Sequence, residues 1–530
     1  MRQMQAIAAV ALLALVSISP RSASAGDLED ALGYVKSSWR SLVRSHADLA
    51  KAAEDPKFPP PHGRWTVYVP ASENLETVRR AVRAKMTPAD RDKVELRTLG
   101  PEPQEPGLLY VPYPYVVPGG KYNEMYGWDS FFILLGLLRD GEVELAKSTT
   151  DNQLYQIAHY GKVLNANRSY YLTRSHPPFI SRMVLRVFER TGDRAWLAQA
   201  WPLVRRQYEF FTEGPRLTPT GLSRYWDAGE GPSAEVLSSE KDAAGRTHYQ
   251  RVSEHLRTHS IPDFDVTPYF RDGQLTPRFY KADRAMRESG FDVSGHFGPF
   301  NMGILDYNPV CLNSLLFQME QDSAHILELI GRAAEAHAWT LKAALRRARM
   351  SRLMWDERAG LFLDYDFAHD RRNPAPFGTT FYPLWTGLAT KHQAARVAAN
   401  LGLLERPGGI STSDRKTGTQ WDAPFGWAPL QIAAVQGLRR YGYRDAADRL
   451  TVKFLSLVLQ EFRQHHAMFE KYDVETRRST VAAGLKFGYT TNEIGFGWTN
   501  AAFTDLYAEL SPERRAQVSA GLPAASPQPR

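Results

Sequence analysis

The sequence predicts a large all-α domain built from helical hairpins, with long aromatic and acidic loops between them. Three observations carry this. Ile180, Met183, Val184, Val187 and Phe188 fall at i, i+3, i+4, i+7 and i+8, one apolar helix face. Thr191-Gly192-Asp193 breaks that helix, and Ala200, Leu203, Val204, Tyr208 and Phe211 resume the stripe, with Gln207 as its one polar member. The same unit returns at Leu430, Ala433, Ala434, Gly437, Leu438 and Tyr441, then, after Gly442, at Ala447, Leu450, Phe454, Leu457 and Val458. Third, strand-like alternation is confined to short pieces, and no fixed-period repeat argues for a solenoid. Hairpins in series suit a closed helical barrel with its loops at one mouth.

The elements follow in order. Residues 1–25 read as a secretory signal peptide: Arg2 is a short basic region, Ala6 to Ile18 an apolar one, and Ala23-Ser24-Ala25 a small-x-small cleavage site. The apolar run is shorter than the roughly 20 residues that span a bilayer. The expectation is therefore a periplasmic or secreted protein with no membrane insertion after cleavage. Residues 26–105 are expected to form an N-terminal arm packed on the barrel, helical over 27–54 and extended over 65–70. Proline-rich connections occupy 56–63 and 100–118. The barrel itself is expected over 106–511, with a long helix from Ser323 to Met350. Long loops cover 218–300, 405–428 and 484–500, and their aromatic content argues for function rather than disorder. Residues 512–530, rich in Ala, Pro and Ser, read as a loose tail.

Composition excludes several classes. Hydrophobic residues make up 43% and charged residues 23%, as in a folded soluble protein. The 65 basic and 58 acidic residues are scattered along the chain, so no concentrated face exists to track phosphates and no nucleic-acid partner is expected. Cys311 is the only cysteine, which rules out an intrachain disulfide and a cysteine zinc cluster. No HExxH, EF-hand or P-loop pattern occurs, so neither metal nor cofactor is expected. A monomer acting on a small molecule fits.

The chemistry concentrates where acids stand beside tryptophans and glycines. Sugar rings stack their C–H faces on Trp and Tyr, while their hydroxyls need fixed carboxylates, amides and arginines. Glycoside hydrolysis needs two carboxyls, one protonated at the leaving oxygen and one acting as base or nucleophile. The candidates are Asp129 after Trp128, Asp227 after Trp226, Asp292, Asp422 after Trp421, and Glu470 with Asp473. An Asp after Trp has an ordinary alternative role as a helix cap.

These segments also resemble a known family. Pro118-Gly119-Gly120-Lys121-Tyr122-Asn123-Glu124-Met125-Tyr126-Gly127-Trp128-Asp129-Ser130 is similar to the first trehalase signature, PGGRFxExYxWDxY. Gln420-Trp421-Asp422-Ala423-Pro424-Phe425-Gly426-Trp427-Ala428-Pro429 resembles the second, QWDxPxGWAP. Matches at 165–175, 224–227, 288–292, 470–473 and 495–500 follow in the family's order and span roughly residues 110 to 505. The resemblance implies an (α/α)6 barrel, or toroid, and inverting hydrolysis of α,α-trehalose to two glucoses. It implies Asp292 as general acid and Glu470 as general base. Sugar contacts are implied for Lys121, Trp128, Asp129, Asn165, Arg174, Ser175, His176, Glu235 and Gly290, with Trp421 and Glu493 as further candidates.

Departures touch the sugar pocket. Lys121 replaces an Arg and loses its planar fork. Where the family has Arg-Pro-Glu after the Trp-Asp pair, this chain has Ser233-Ala234-Glu235, and Arg251, Arg257 and Arg271 follow as possible substitutes. The glycine-rich stretch near 484–494 keeps Gly484 and Gly488 but is interrupted by Leu485, Lys486 and Phe487. Cys311 stands where an Asp is usual and reads as a packed core thiol. Two other readings therefore stay open: an inverting hydrolase of another α-linked disaccharide or glycoside, and a non-catalytic sugar-binding protein.

Overall fold

The apolar stripes become paired helices in the structure, a computed structural model that describes residues 25–60, 62–480, 485–489 and 491–521. The helix Ile180–Thr191 stops at Gly192, whose φ of 66° is a left-handed cap. Asp193 then starts Arg194–Thr212 by accepting a hydrogen bond from the Trp196 amide at 2.9 Å. The second hairpin is Ala428–Arg440 with Arg444–His465. Gly331, at φ 81°, divides the region expected as one helix from Ser323 to Met350 into Val310–Leu329 and Ala333–Leu353.

These hairpins close into an (α/α)6 barrel. The inner ring runs through Gly127–Arg139, Ile180–Thr191, Val310–Leu329, Tyr382–Trp385 with the 3-10 turn Gly378–Phe381 before it, Ala428–Arg440 and Gly497–Ala508. The last of these packs along the first and shuts the ring. Twelve of the 13 residues of Gly127–Arg139 are buried, as a helix covered on both sides requires. Outside lie Val143–Tyr160, Arg194–Thr212, Ala333–Leu353, Lys391–Ala399 and Arg444–His465.

The N-terminal segment divides instead of forming a single arm. Ala25–Leu42 packs against Arg444–His465 and Gly497–Ala508 and takes an outer place in the barrel, because Leu28, Ala31, Val35, Trp39 and Leu42 form a stripe that must be covered. The helix expected to run to residue 54 breaks where Val43–Arg44 pairs antiparallel with Tyr115–Val116, and tertiary pairing overrides local propensity. Beyond it, Trp65–Val69 is the centre of a small parallel sheet flanked by Val94–Thr98 and Leu108–Leu109, with a core of its own that includes Val67, Val69, Val78, Val82 and Leu96.

Two further expectations change. The 218–300 stretch contains the helices Ala234–Ser239, His248–Thr258 and Pro277–Ser289. Charged residues had masked the buried face of the last, which carries Phe279, Ala282, Ala285 and Met286. Pro512–Ala520, expected within the loose tail, is a helix capped by Ser511 and anchored by buried Val518. Residues 522–530, the 1–24 part of the signal-peptide expectation, and Gly484 lie outside the described residues.

Candidate active site

The N-terminal ends of the inner helices and the loops before them surround a cavity of about 350 Å³ at one mouth of the barrel. Its wall contains Trp128 and Asp129 from the first turn of Gly127–Arg139, Asp292 just beyond Pro277–Ser289, Glu470 before the strand Lys471–Asp473, and Trp498 from the start of Gly497–Ala508. Trp421 and Trp427 stack with ring centroids 3.8 Å apart, and Trp128 meets Trp421 at 5.7 Å. This aromatic floor offers flat apolar faces of the kind a sugar ring covers. Gly290 passes against it at φ 79°; a Cβ there would lie 2.9 Å from Trp128, so the backbone reaches Asp292 only through glycine.

Of the six candidate carboxylates, three face the cavity. Asp292 has its pKa pushed up to about 7, chiefly by burial in the wall; Arg287 opposes this and Glu240 adds to it. Glu470 is buried and accepts on both oxygens. Tyr489 donates its hydroxyl to Oε1, and Lys471 Nζ donates to Oε2 at 3.1 Å. Burial, with Glu470 and Asp292 facing it, pushes the Asp129 carboxyl well above the usual range. Asp227, Asp422 and Asp473 are scaffold. Asp227 receives Arg174 at 2.9 Å; Asp422 holds the Gly295 amide at 2.7 Å and pins the loop after Asp292; Asp473 closes a turn through the amides of Glu475 and Thr476.

The remaining expected residues separate in the same way. Lys121, Asn165, Arg174, His176, Glu235, Gly290 and Trp421 line the cavity. Arg174 spreads its guanidinium over Asp227, Glu235 (2.6 Å) and Ser233 Oγ (2.7 Å), and Glu235 Oε2 is buried with no hydrogen-bond partner among the described residues. His176 Nδ1 accepts the Trp128 amide at 3.2 Å, and burial depresses its pKa to about 3, so the ring is neutral with its proton on Nε2. Ser175 and Glu493 do not line the cavity. Ser175 donates through Oγ to Val163 O and through its amide to Glu288. Glu493 accepts the Lys121 amide at 3.0 Å and pairs with its Nζ at 3.2 Å.

Arg251, Arg257 and Arg271 lie outside this lining, and Arg251 is engaged with Lys486 O. Arg287 is the second guanidinium in the lining beside Arg174, and nothing in the sequence singles it out. Tyr122, Tyr126 and Trp498 also line the cavity and sit within the matched segments 118–130 and 495–500, so a signal for them existed. Lys57, which also lines the cavity, sits in a proline-rich connection that carries no motif. Cys311 is buried 3.6 Å from the Tyr225 hydroxyl, and burial pushes its thiol up to about 12, an inert core position.

The trehalase family pattern matches residues 27–511. The chain is 31% identical to the cytosolic neutral trehalase of Saccharomyces cerevisiae, over 92% of this chain and 72% of that one. It is 33% identical to the cytosolic neutral trehalase of Emericella nidulans, over 92% and 73%. The solved structure of the neutral trehalase Nth1 from Saccharomyces cerevisiae superposes with a TM-score of 0.77 at 30% identity, covering 94% of this chain and 97% of that one. These matches correct the expected periplasmic or secreted location, since both relatives are named as cytosolic enzymes. Among the described residues no helix is long and apolar enough to cross a membrane. Motif order, cavity and matches agree, and the chain belongs to the trehalase family of glycoside hydrolases.

Proposed function

We propose that this protein hydrolyses α,α-trehalose to two glucoses with inversion, Asp292 acting as acid and Glu470 as base. The observation that carries the reading is one cavity with two unlike carboxyls. Asp292, its pKa near 7, keeps a proton to donate to the glycosidic oxygen. Glu470, held by Lys471 and Tyr489, is arranged as a carboxylate that takes a proton from water. That water attacks the anomeric carbon from the face opposite the leaving sugar. As the new C–O bond forms the old one breaks, and Asp292's proton leaves with the departing glucose. One glucose appears as the β anomer and the other keeps its α configuration.

Glu235 and Arg174, with His176 Nε2 as a fixed donor, supply polar contacts to hydroxyls, and the tryptophans supply the flat faces. Large exposed apolar side chains are few and mostly scattered, as on a monomer. The test is glucose release from trehalose with the product anomers resolved by NMR. Initial formation of equal α and β glucose supports the reading, and α glucose alone refutes inversion. Ser233, standing where the family carries an arginine, keeps a second α-linked disaccharide in view. A panel of α-glucosides on which trehalose is inert and another sugar turns over would replace the first reading with that one.

A further inference from the structure

The inner ring has one short stave. Tyr382–Trp385 has 4 residues after a 3-10 turn of 4, whereas Val310–Leu329 and Ala428–Arg440, packed on either side of it, have 20 and 13. Where it stops, at Trp385 and Thr386, a second cavity of about 370 Å³ opens among the C-terminal ends of the inner helices. This is the end of the barrel away from the acids. The two cavities share no lining residue, and Phe132 lies between them, meeting Trp128 of the first at 5.9 Å and Trp385 of the second at 6.2 Å.

The lining is unbalanced in charge: Arg182, Arg186, Arg439 and Arg440 border the cavity, against Glu509 as its one carboxylate. Two of the four are neutralised. Arg182 donates to Asp322 Oδ1 at 2.6 Å, and Arg439 pairs with Glu509 and, at 2.8 Å, with Asp448. The other two are not. Arg186 donates to Glu189 at 3.0 Å, an exposed pair of little worth, and its Nε is buried with no hydrogen-bond partner among the described residues. Arg440 has neither a hydrogen bond nor an ion pair among the described residues. Partial desolvation, and then the like charges of Arg182 and Arg186, lower its pKa, with Tyr441 and Asp322 opposing them.

An apolar wall completes the cavity. Phe131 and Phe179 stack with ring centroids 4.4 Å apart, and Trp385 leans on both at 5.9 and 5.8 Å. We propose that this cavity is a second binding site, for a small ring-bearing organic phosphate. The phosphoryl group sits between Arg186 and Arg440, and the ring lies against Phe131, Phe179 and Trp385. Guanidinium forks match phosphate oxygens, and one dianion neutralises both unpaired cations. Flat apolar faces beside them favour a ring over a bare ion. The volume is close to the 350 Å³ of the first cavity, so the ligand is near disaccharide size. A hexose monophosphate and a nucleoside monophosphate share this chemistry.

Titration calorimetry of the full chain with glucose 6-phosphate, AMP and inorganic phosphate tests this, whichever sugar the enzyme cleaves. One ester or both should bind with a Kd below about 1 mM, and inorganic phosphate at least about tenfold more weakly. Binding of one ester alone assigns the site to a sugar ester or to a nucleotide. Arg186→Gln and Arg440→Gln should each weaken the tighter ester at least about tenfold and leave turnover at the catalytic cavity unchanged. Without ligand, Arg440→Gln should keep or raise Tm, because a like-charge contact is removed. A lower Tm with unchanged affinity would make Arg440 only a cation serving the end of its helix, and would overturn the inference. So would failure of both esters to bind below about 10 mM, or inorganic phosphate binding as tightly as they do.

Discussion

Lys471 and Glu470, neighbours in sequence, form a buried ion pair in which Nζ lies 3.1 Å from Oε2 and both side chains are almost wholly removed from water. The ammonium also sits 4.3 Å from the Tyr489 ring centroid and 5.1 Å from that of Trp427. Breaking such a pair leaves a charge without compensation, at a cost of about 3–5 kcal/mol. Lys471→Met should therefore lower Tm sharply, and adding Glu470→Gln should restore part of the loss. Calorimetry of the two single variants and the double variant checks this; additive losses would show that the pair is not coupled.

Activity should fall as the acid loses its proton. With Asp292 near 7, kcat/KM on trehalose is expected to decline above about pH 7, and Asp292→Asn to lose about 10²–10⁴-fold at every pH. A basic limb that persists unchanged in the residual activity of Asp292→Asn would assign it to another group.

The same carboxyl makes a prediction about folding. Its folded pKa near 7 exceeds the unfolded value of about 3.9, so the native state binds the proton more tightly. Its contribution is present below about pH 4 and is lost as pH rises through 7. Asp292→Asn should accordingly have a higher Tm than wild type at pH 8, with the advantage shrinking toward pH 4. Thermal scans across that range decide it.

Gly290→Ala should damage function more than its size suggests. The added carbon meets the Trp128 ring at 2.9 Å and the backbone is held at φ 79°, so about 1–3 kcal/mol is lost and Asp292 is displaced. A fall in kcat of more than tenfold with the fold retained by circular dichroism is the expected result.

How much of this could be read in the chain depends on what each feature needs. The hairpins at 180–211 and 430–458 were legible because one apolar face repeats at 3.6 residues. The helix Pro277–Ser289 was not, since Arg278, Lys281, Asp283, Arg284 and Arg287 obscure its stripe, and partners such as Asp306 for Arg278 and Gly231 O for Arg284 come from loops distant in sequence. The polar cavity residues inside contiguous motifs were visible. Arg287 was not, because its place in the lining comes from Glu240 and Asp283 converging on it, and convergence leaves no spacing in sequence. The division between Asp292 and Asp422 has the same origin: both follow aromatic residues, but only Asp422 is surrounded by hydroxyl and amide donors.

Ring closure between Gly127–Arg139 and Gly497–Ala508 bears on how the protein is made. The seam joins residues 366 positions apart through Arg139 and Asp505, and 372 apart through Lys121 and Glu493. Asp292 emerges from the ribosome nearly two hundred residues before Glu470, and the stave that seals the barrel comes later still. Until then no partial chain holds a complete cavity. The last inner helix to be synthesised completes the cavity wall with Trp498, and a truncation just before Gly497 should yield a chain with most of its motifs and none of its activity.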